Sequence, residues 1–245
     1  MGEWALEQRA IALGKTAMGK MLQASTAKLI SLFIAFTGCW AQSAPTTFRL
    51  DSVDGLETVG GKAEVVMYRG RKAVRLAPVS NVGKAEDVIL AMVKGPDFKD
   101  GTIEAKVAGS PRSTAANERG FIGIAFRVQP HGSSYECFYL RPTNGRDDDQ
   151  LRRNHSTQYI SMPDYPWFRL RKEDPGVYES YVDLESGAWT MIRIVVAGSK
   201  ARLFVNGAKQ ASLIVNDLKL RATDGQVALW AHWTTDAYFS NLTIK

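Results

Sequence analysis

From residue 48 onward the chain is cut into short apolar-alternating segments by turn residues, and no segment carries a helical repeat over three turns. The periodicity predicts strands at 47–51, 63–68, 72–77, 87–92, 101–108, 121–129, 135–141, 178–183, 189–197, 200–206, 209–214, 225–232 and 237–244. Gly60-Gly61, Arg69-Gly70 and Asn206-Gly207 punctuate them. Asn-Gly suits a tight turn because both residues tolerate positive φ. Many short, evenly spaced strands without intervening helices define an all-β sandwich or barrel rather than alternating βαβ units.

Alternation also assigns faces. Ile122, Ile124, Phe126 and Val128 share one side of their strand, with Phe121, Gly123, Ala125 and Arg127 on the other. Ile192, Ile194 and Val196 oppose Met191, Arg193 and Val195, and Val227, Leu229 and Ala231 oppose Ala228, Trp230 and His232. The bulky sets, with Phe138, Leu140 and Phe239, make the expected core. The opposite face mixes small, aromatic and basic side chains, where a plain solvated face would carry Thr, Lys and Glu. Residues 142–177 break the pattern, apart from a short strand at 157–161. A connection of that length without regular structure is commonly functional, and Tyr159, Tyr165, Trp167 and Phe168 give it mass to pack. It is expected to be an ordered loop over one sheet face, with Tyr165, Trp167 and Phe168 pinning it.

Ahead of this region lies an apolar run, 29–38, preceded by Lys20 and Lys28. A charged segment followed by an apolar one too short to span a bilayer reads as an export signal. Cleavage is expected after Ala41-Gln42-Ser43. The competing reading is a lipid anchor at Cys39, from Phe36-Thr37-Gly38-Cys39, with membrane contact through that anchor alone. Met18 or Met21 would be a more ordinary start than Met1. The chain thus divides into 1–43, extension and signal, and 44–245, a single domain. Roughly 200 residues suffice for one large core. Only Cys137 remains in that domain, so no intrachain disulfide can form, and it reads as a buried, inert thiol. Neither Cys nor His clusters in a metal-ligand pattern, so no metal and no cofactor is expected. The net charge of +6 is spread, with acids such as Asp147-Asp148-Asp149 beside the basic groups, which argues against nucleic acid.

The runs Gly101-Thr102-Ile103-Glu104-Ala105-Lys106, Gly123-Ile124-Ala125-Phe126-Arg127, Tyr135 to Arg141, Trp189-Thr190-Met191-Ile192-Arg193-Ile194, Leu203-Phe204-Val205-Asn206-Gly207 and Phe239-Ser240-Asn241-Leu242 form a recognisable series. Together they resemble the concanavalin A-like lectin/glucanase superfamily, with laminin-G-like modules and the bacterial 3-keto-disaccharide hydrolase domain as the nearer likenesses. The resemblance implies an antiparallel two-sheet jelly roll with a concave face that often receives sugar. It does not decide between lectin, adhesion module and hydrolase. The Glu-x-Asp-x-(x)-Glu strand of the retaining glucanases has no counterpart here. Asp183-Leu184-Glu185 has the spacing for a pair on one face but reads as a hairpin end, and the laminin-G calcium site has no match.

The expected site gathers Arg127, Tyr139, Arg141 and Trp230 as saccharide contacts on the concave sheet, with His155 on the long segment above it. His232 is the candidate acid or base, since imidazole titrates near neutrality. Glu136 is a second catalytic candidate only at a strand edge, because its parity points to the core. For Arg127 the alternatives are a fork for sugar hydroxyls or a structural ion pair, and for Trp230 a sugar platform or a second core under the long segment. The functional expectation is an exported protein that hydrolyses a glycosidic bond in a saccharide or modified disaccharide. The alternatives are a carbohydrate-binding module without catalysis and an envelope or adhesion protein.

Overall fold

The computed structural model describes residues 44–79, 87–115 and 118–245. The expected signal and the Cys39 anchor lie outside the described residues.

Two antiparallel sheets form an all-β jelly-roll sandwich, as the alternation predicts. One sheet runs β13 (Leu213–Val215), β12 (Lys200–Val205), β11 (Thr190–Ala197), β6 (Gly101–Pro111), β15 (Thr235–Ile244), β4 (Arg71–Pro78) and β3 (Gly61–Tyr68), with β1 (Thr46–Phe48) also on β15. The other runs β10 (Glu179–Ser180), β9 (Thr157–Met162), β8 (Tyr135–Leu140), β7 (Ile122–Val128), β14 (Gln226–His232), β5 (Val88–Val93) and β2 (Leu56–Val59). We call these the first and second sheets. β2 was not visible as a strand in the sequence, being short and half polar.

The core lies between the sheets. In the first, Ile192 pairs across from Ala105 and Val205, and Ile194 from Ile103 and Leu203. In the second, Ile122 faces Leu140, and Ile124 faces both Phe138 and Leu229. All of these are buried, as is Phe239. Cross-strand neighbours on one face lie close enough for their side chains to pack as a continuous layer. Burial of apolar area at about 25 cal/mol per Å² drives the association of the two layers. Cys137 is a free, buried thiol whose pKa burial pushes well up.

The segment 142–177 holds the strand expected at 157–161, as β9, and departs from the expected loop in two short helices. It contains α1 (Gln150–Asn154), β9 and α2 (Trp167–Glu173). α1 begins at Asp149, whose carboxylate accepts from the Leu151 N–H and so occupies one of the orphan donors of the first turn. β9 joins the second sheet against β8, in register from Tyr135↔Met162 to Leu140↔Thr157. α2 buries Leu170 alone. The segment therefore extends the second sheet by one strand and lays two short helices beside its outer face.

Two expected site residues, Arg127 and Glu136, lie off that face. Strict alternation puts Arg127 with Gly123 and Ala125. However, the β7–β14 register shifts between Gln226 and Ala228, and Arg127 adopts φ 54. A bulge of this kind inserts one residue and re-aims the side chains beyond it. Arg127 turns away from the expected surface and is fully buried. It donates from Nε to the Lys99 carbonyl (3.0 Å) and from Nη2 to the Gly198 carbonyl (2.8 Å) and Asp100 (3.1 Å). The ion-pair alternative therefore holds for Arg127. Glu136 follows its parity and not its catalytic assignment: it pairs across from Phe126 and is fully buried. Its carboxylate accepts from the Tyr159 hydroxyl and from the Leu220 N–H. Burial raises its pKa, and those two donors oppose the rise.

Candidate functional site

The outer face of the second sheet holds the site. One row of paired residues crosses it: Gln158 on β9, Tyr139 on β8, Gly123 on β7, Trp230 on β14 and Leu90 on β5. Tyr139 and Trp230 flank Gly123, and their rings stack across it with centroids 4.8 Å apart and planes 20° from parallel. A Cβ at position 123 would stand 2.1 Å from the Phe138 carbonyl oxygen and 2.6 Å from the Tyr139 Cβ, so glycine is needed for this approach. Trp230 also donates from Nε1 to the Tyr135 hydroxyl (3.3 Å). Both stacked rings are only 3% exposed. Trp230 is thus a second-core residue, not an open platform, which is the other alternative the sequence left.

Around this pair lies a polar layer. Arg141, 5% exposed, donates from Nη2 to the Tyr139 hydroxyl (2.8 Å) and the Gln158 amide oxygen (3.0 Å), and from Nη1 to the His155 carbonyl (2.8 Å). Burial lowers the Arg141 pKa and pushes that of Tyr139 up to about 12. Glu179, on β10, is the acid beneath them. Its carboxylate accepts two hydrogen bonds from Arg171 Nε (3.0 and 3.2 Å) and one from Arg171 Nη2 (2.7 Å). It lies 3.1 Å from His155 Nε2 and 3.9 Å from Arg141 Nη1. Forked donation of this kind fixes a carboxylate in orientation as well as in charge. The His155 pKa is lowered: burial acts first, the nearby Glu179 opposes that, and Arg171 and Arg141 add to the lowering.

Above this floor opens a pocket of about 730 Å³, within the usual range for small-molecule sites. Tyr139, Arg141, His155, Trp230 and His232 all line it. The structure therefore brings together five of the seven expected site residues, leaving out Arg127 and Glu136. His232 Nδ1 lies 2.7 Å from the Thr234 hydroxyl, and its ring lies 5.2 Å from that of Phe121.

The sequence reading missed several contributors. Trp167 and Phe168 were expected to pin the segment, yet they line the pocket while remaining 42% and 49% exposed. Arg171 lies over the Trp167 ring, 4.8 Å from its centroid. Arg119, Arg152 and Glu118 also line the pocket, and Glu118 is its one carboxylate among the described residues. That carboxylate accepts from the Ser113 N–H (2.8 Å). The signal that could have found α2 is the apolar-basic run Trp167-Phe168-Arg169-Leu170-Arg171, whose spacing puts Trp167 and Arg171 on one helical face. Asp183 and Glu185 form no dyad: both are exposed and both pair with Arg146 (2.8 and 3.0 Å). Asp147 pairs with Arg152 (3.2 Å). Among the described residues no group of three His, Cys, Asp or Glu converges as metal ligands would.

No family model matches the chain, and no curated protein matches it in sequence. Solved structures do match it in fold. The carbohydrate-binding module CBM66 from Bacillus subtilis is 12% identical over 78% of this chain and 96% of that one, with a TM-score of 0.53. A Bacillus subtilis protein of unknown function with a galectin-like fold is 12% identical over 81% and 94%, with a TM-score of 0.51. A native glycosidic hydrolase is 11% identical over 82% and 95%, with a TM-score of 0.50. The fold class is therefore the concanavalin A-like jelly roll. Within that class these likenesses span a binding module and a hydrolase, so they carry the fold and not an activity.

Proposed function

We propose that this chain is an exported saccharide-binding protein that holds its ligand in the pocket on the outer face of the second sheet without cleaving it. One observation carries the reading. The pocket is large and ringed by aromatic and guanidinium groups, but Glu118 is its single carboxylate among the described residues. Glycoside hydrolysis by the common routes needs two carboxyl groups, about 5–5.5 Å apart for retention and about 6.5–9.5 Å for inversion. Sugar binding needs only apolar ring faces and forked donors, and Trp167 and Phe168 supply the first and Arg119 the second. The fold likeness to a carbohydrate-binding module supports this reading, and export rests on the leader-like run 29–38.

Hydrolysis is the second reading, and one arrangement favours it. His155, whose pKa burial lowers, is oriented through Nε2 by the buried Glu179 and reaches the pocket. A neutral imidazole oriented by a carboxylate is the usual form of a general base. Glycan-array screening followed by calorimetry and product analysis separates the two. Binding reading: an oligosaccharide is recovered intact, and Trp167→Ala weakens it about tenfold without lowering Tm, in line with about 1–3 kcal/mol for an exposed aromatic contact. Release of new reducing ends, abolished by His155→Ala, would overturn it in favour of hydrolysis.

A further inference from the structure

The cations of the pocket are not equally engaged. Arg171 gives its fork to Glu179, Arg152 pairs with Asp147, and Arg141 gives three hydrogen bonds, to Tyr139, Gln158 and the His155 carbonyl. Arg119 differs. It follows the segment after β6 that carries Glu118, lines the pocket, and is half-buried. Its one side-chain hydrogen bond among the described residues goes to the backbone carbonyl of Glu118 (3.1 Å), and it forms no salt bridge there. The adjacent Glu118 carboxylate does not neutralise it, because that group is turned to the Ser113 N–H. Asp147 is the carboxylate that acts on Arg119 through space, but its side chain is bonded to Arg152, so most of the Arg119 fork is left without an ion-pair partner beside a cavity. Nearby, Glu179 is one negative charge shared between two guanidiniums, Arg141 and Arg171, so the same wall carries a further surplus of positive charge.

A half-buried guanidinium with an open fork recognises an oxyanion in two parallel hydrogen bonds, and does so best where water is partly excluded. The exposed rings of Trp167 and Phe168 line the same pocket and offer apolar area to a sugar ring. Neutral saccharides present only hydroxyl groups and leave the Arg119 fork without a bonded anion. We infer that the ligand is an acidic saccharide, with its oxyanion bound by Arg119 and its ring against the Trp167–Phe168 rim. The inference rests on the saccharide reading above and names the class of sugar. The state of Arg119 is consistent with it: burial first, and then the positive charge of Arg152, hold its pKa below the ordinary guanidinium value, Asp147 opposes them, and a bound anion would add to that opposition.

The test is calorimetric titration of the intact protein with matched oligosaccharides: oligouronates, their methyl esters, sulfated neutral oligomers and unmodified neutral oligomers. Oligouronate or sulfated sugar should bind at least about tenfold more tightly than its neutral counterpart, the scale of one charge-assisted contact. That preference should shrink as salt is raised. Comparing the uronate and sulfate arms identifies which oxyanion is used. Arg119→Gln should abolish the preference with Tm unchanged, and Arg119→Lys should restore part of it. Arg146→Gln, at an exposed ion pair elsewhere, should leave it intact. Equal affinity for acidic and neutral sugars, or a preference that survives Arg119→Gln, overturns the inference and leaves the saccharide reading standing. Binding of no saccharide in any arm overturns both.

Discussion

The two faces of the second sheet bury side chains in opposite ways. On the inner face, Ile122, Ile124, Phe138 and Leu229 are packed by the other sheet, and the buried carboxylate of Glu136 accepts from the Tyr159 hydroxyl and the Leu220 N–H. On the outer face, Tyr139, Trp230, Arg141 and Gln158 are also buried, and each of the four carries a polar atom in a hydrogen bond. An apolar core can be cemented by area alone, since burial of hydrocarbon is non-directional. A polar one holds only if its donors and acceptors are matched, because an unpaired buried group is penalised heavily. The outer face is therefore the more specific of the two layers, and it is the one with a cavity left in it.

The sharpest way to break this comparison is at the stacked pair. Trp230→Ala should lower folding stability by about 3–5 kcal/mol, the range for removing a large buried aromatic ring. Chemical denaturation would measure it beside Phe138→Ala on the inner face, for which the same range is expected. A loss below about 1 kcal/mol at Trp230 would mean that the outer face is an open platform and not a second core.

A smaller effect is expected at the polar anchor. Glu179→Ala leaves Arg171, His155 and Arg141 without their shared acceptor. Loss of one partner of a buried ion pair costs about 3 kcal/mol, towards the lower end of its range because Arg171 is partly solvated. Glu179→Gln, which keeps an acceptor oxygen, should cost clearly less. Equal losses for the two substitutions would mean that packing, and not charge, holds this corner.

The smallest expected effect is pH dependence from His155. Its folded pKa lies below the unfolded value of 6.5, so below that pH the unfolded chain takes up the proton first. The stability linked to this group is present above pH 6.5 and is lost as the pH falls through the window beneath it. Melting curves between pH 7 and pH 5 should show a shallower decline in His155→Gln than in the parent. A parallel decline in the two would place the titrating group elsewhere.

Much of the fold was legible in the residues, for a simple reason. Period-two alternation and turn chemistry are local properties, and they located the strands that carry Ile122 to Phe126, Ile192 to Val196 and Phe239. The same parity placed Tyr139, Arg141, Trp230 and His232 on one surface and pointed Glu136 inward. What parity could not contain is a break in itself. The bulge at Arg127 depends on how β7 meets β14, and one inserted residue reversed the direction of the longest side chain on the strand. The fate of Trp230 was also beyond local reading. Whether an aromatic ring is a platform or a core depends on what lies over it, and Tyr139 closes on it only because Gly123 between them has no Cβ. Arg119 and Glu179 carried no signal in their own neighbourhoods. They are separated by 60 positions along the chain, and only the tertiary fold brought Arg171, His155 and Arg141 to Glu179 and set Arg119, bonded to the Glu118 carbonyl alone, beside the pocket.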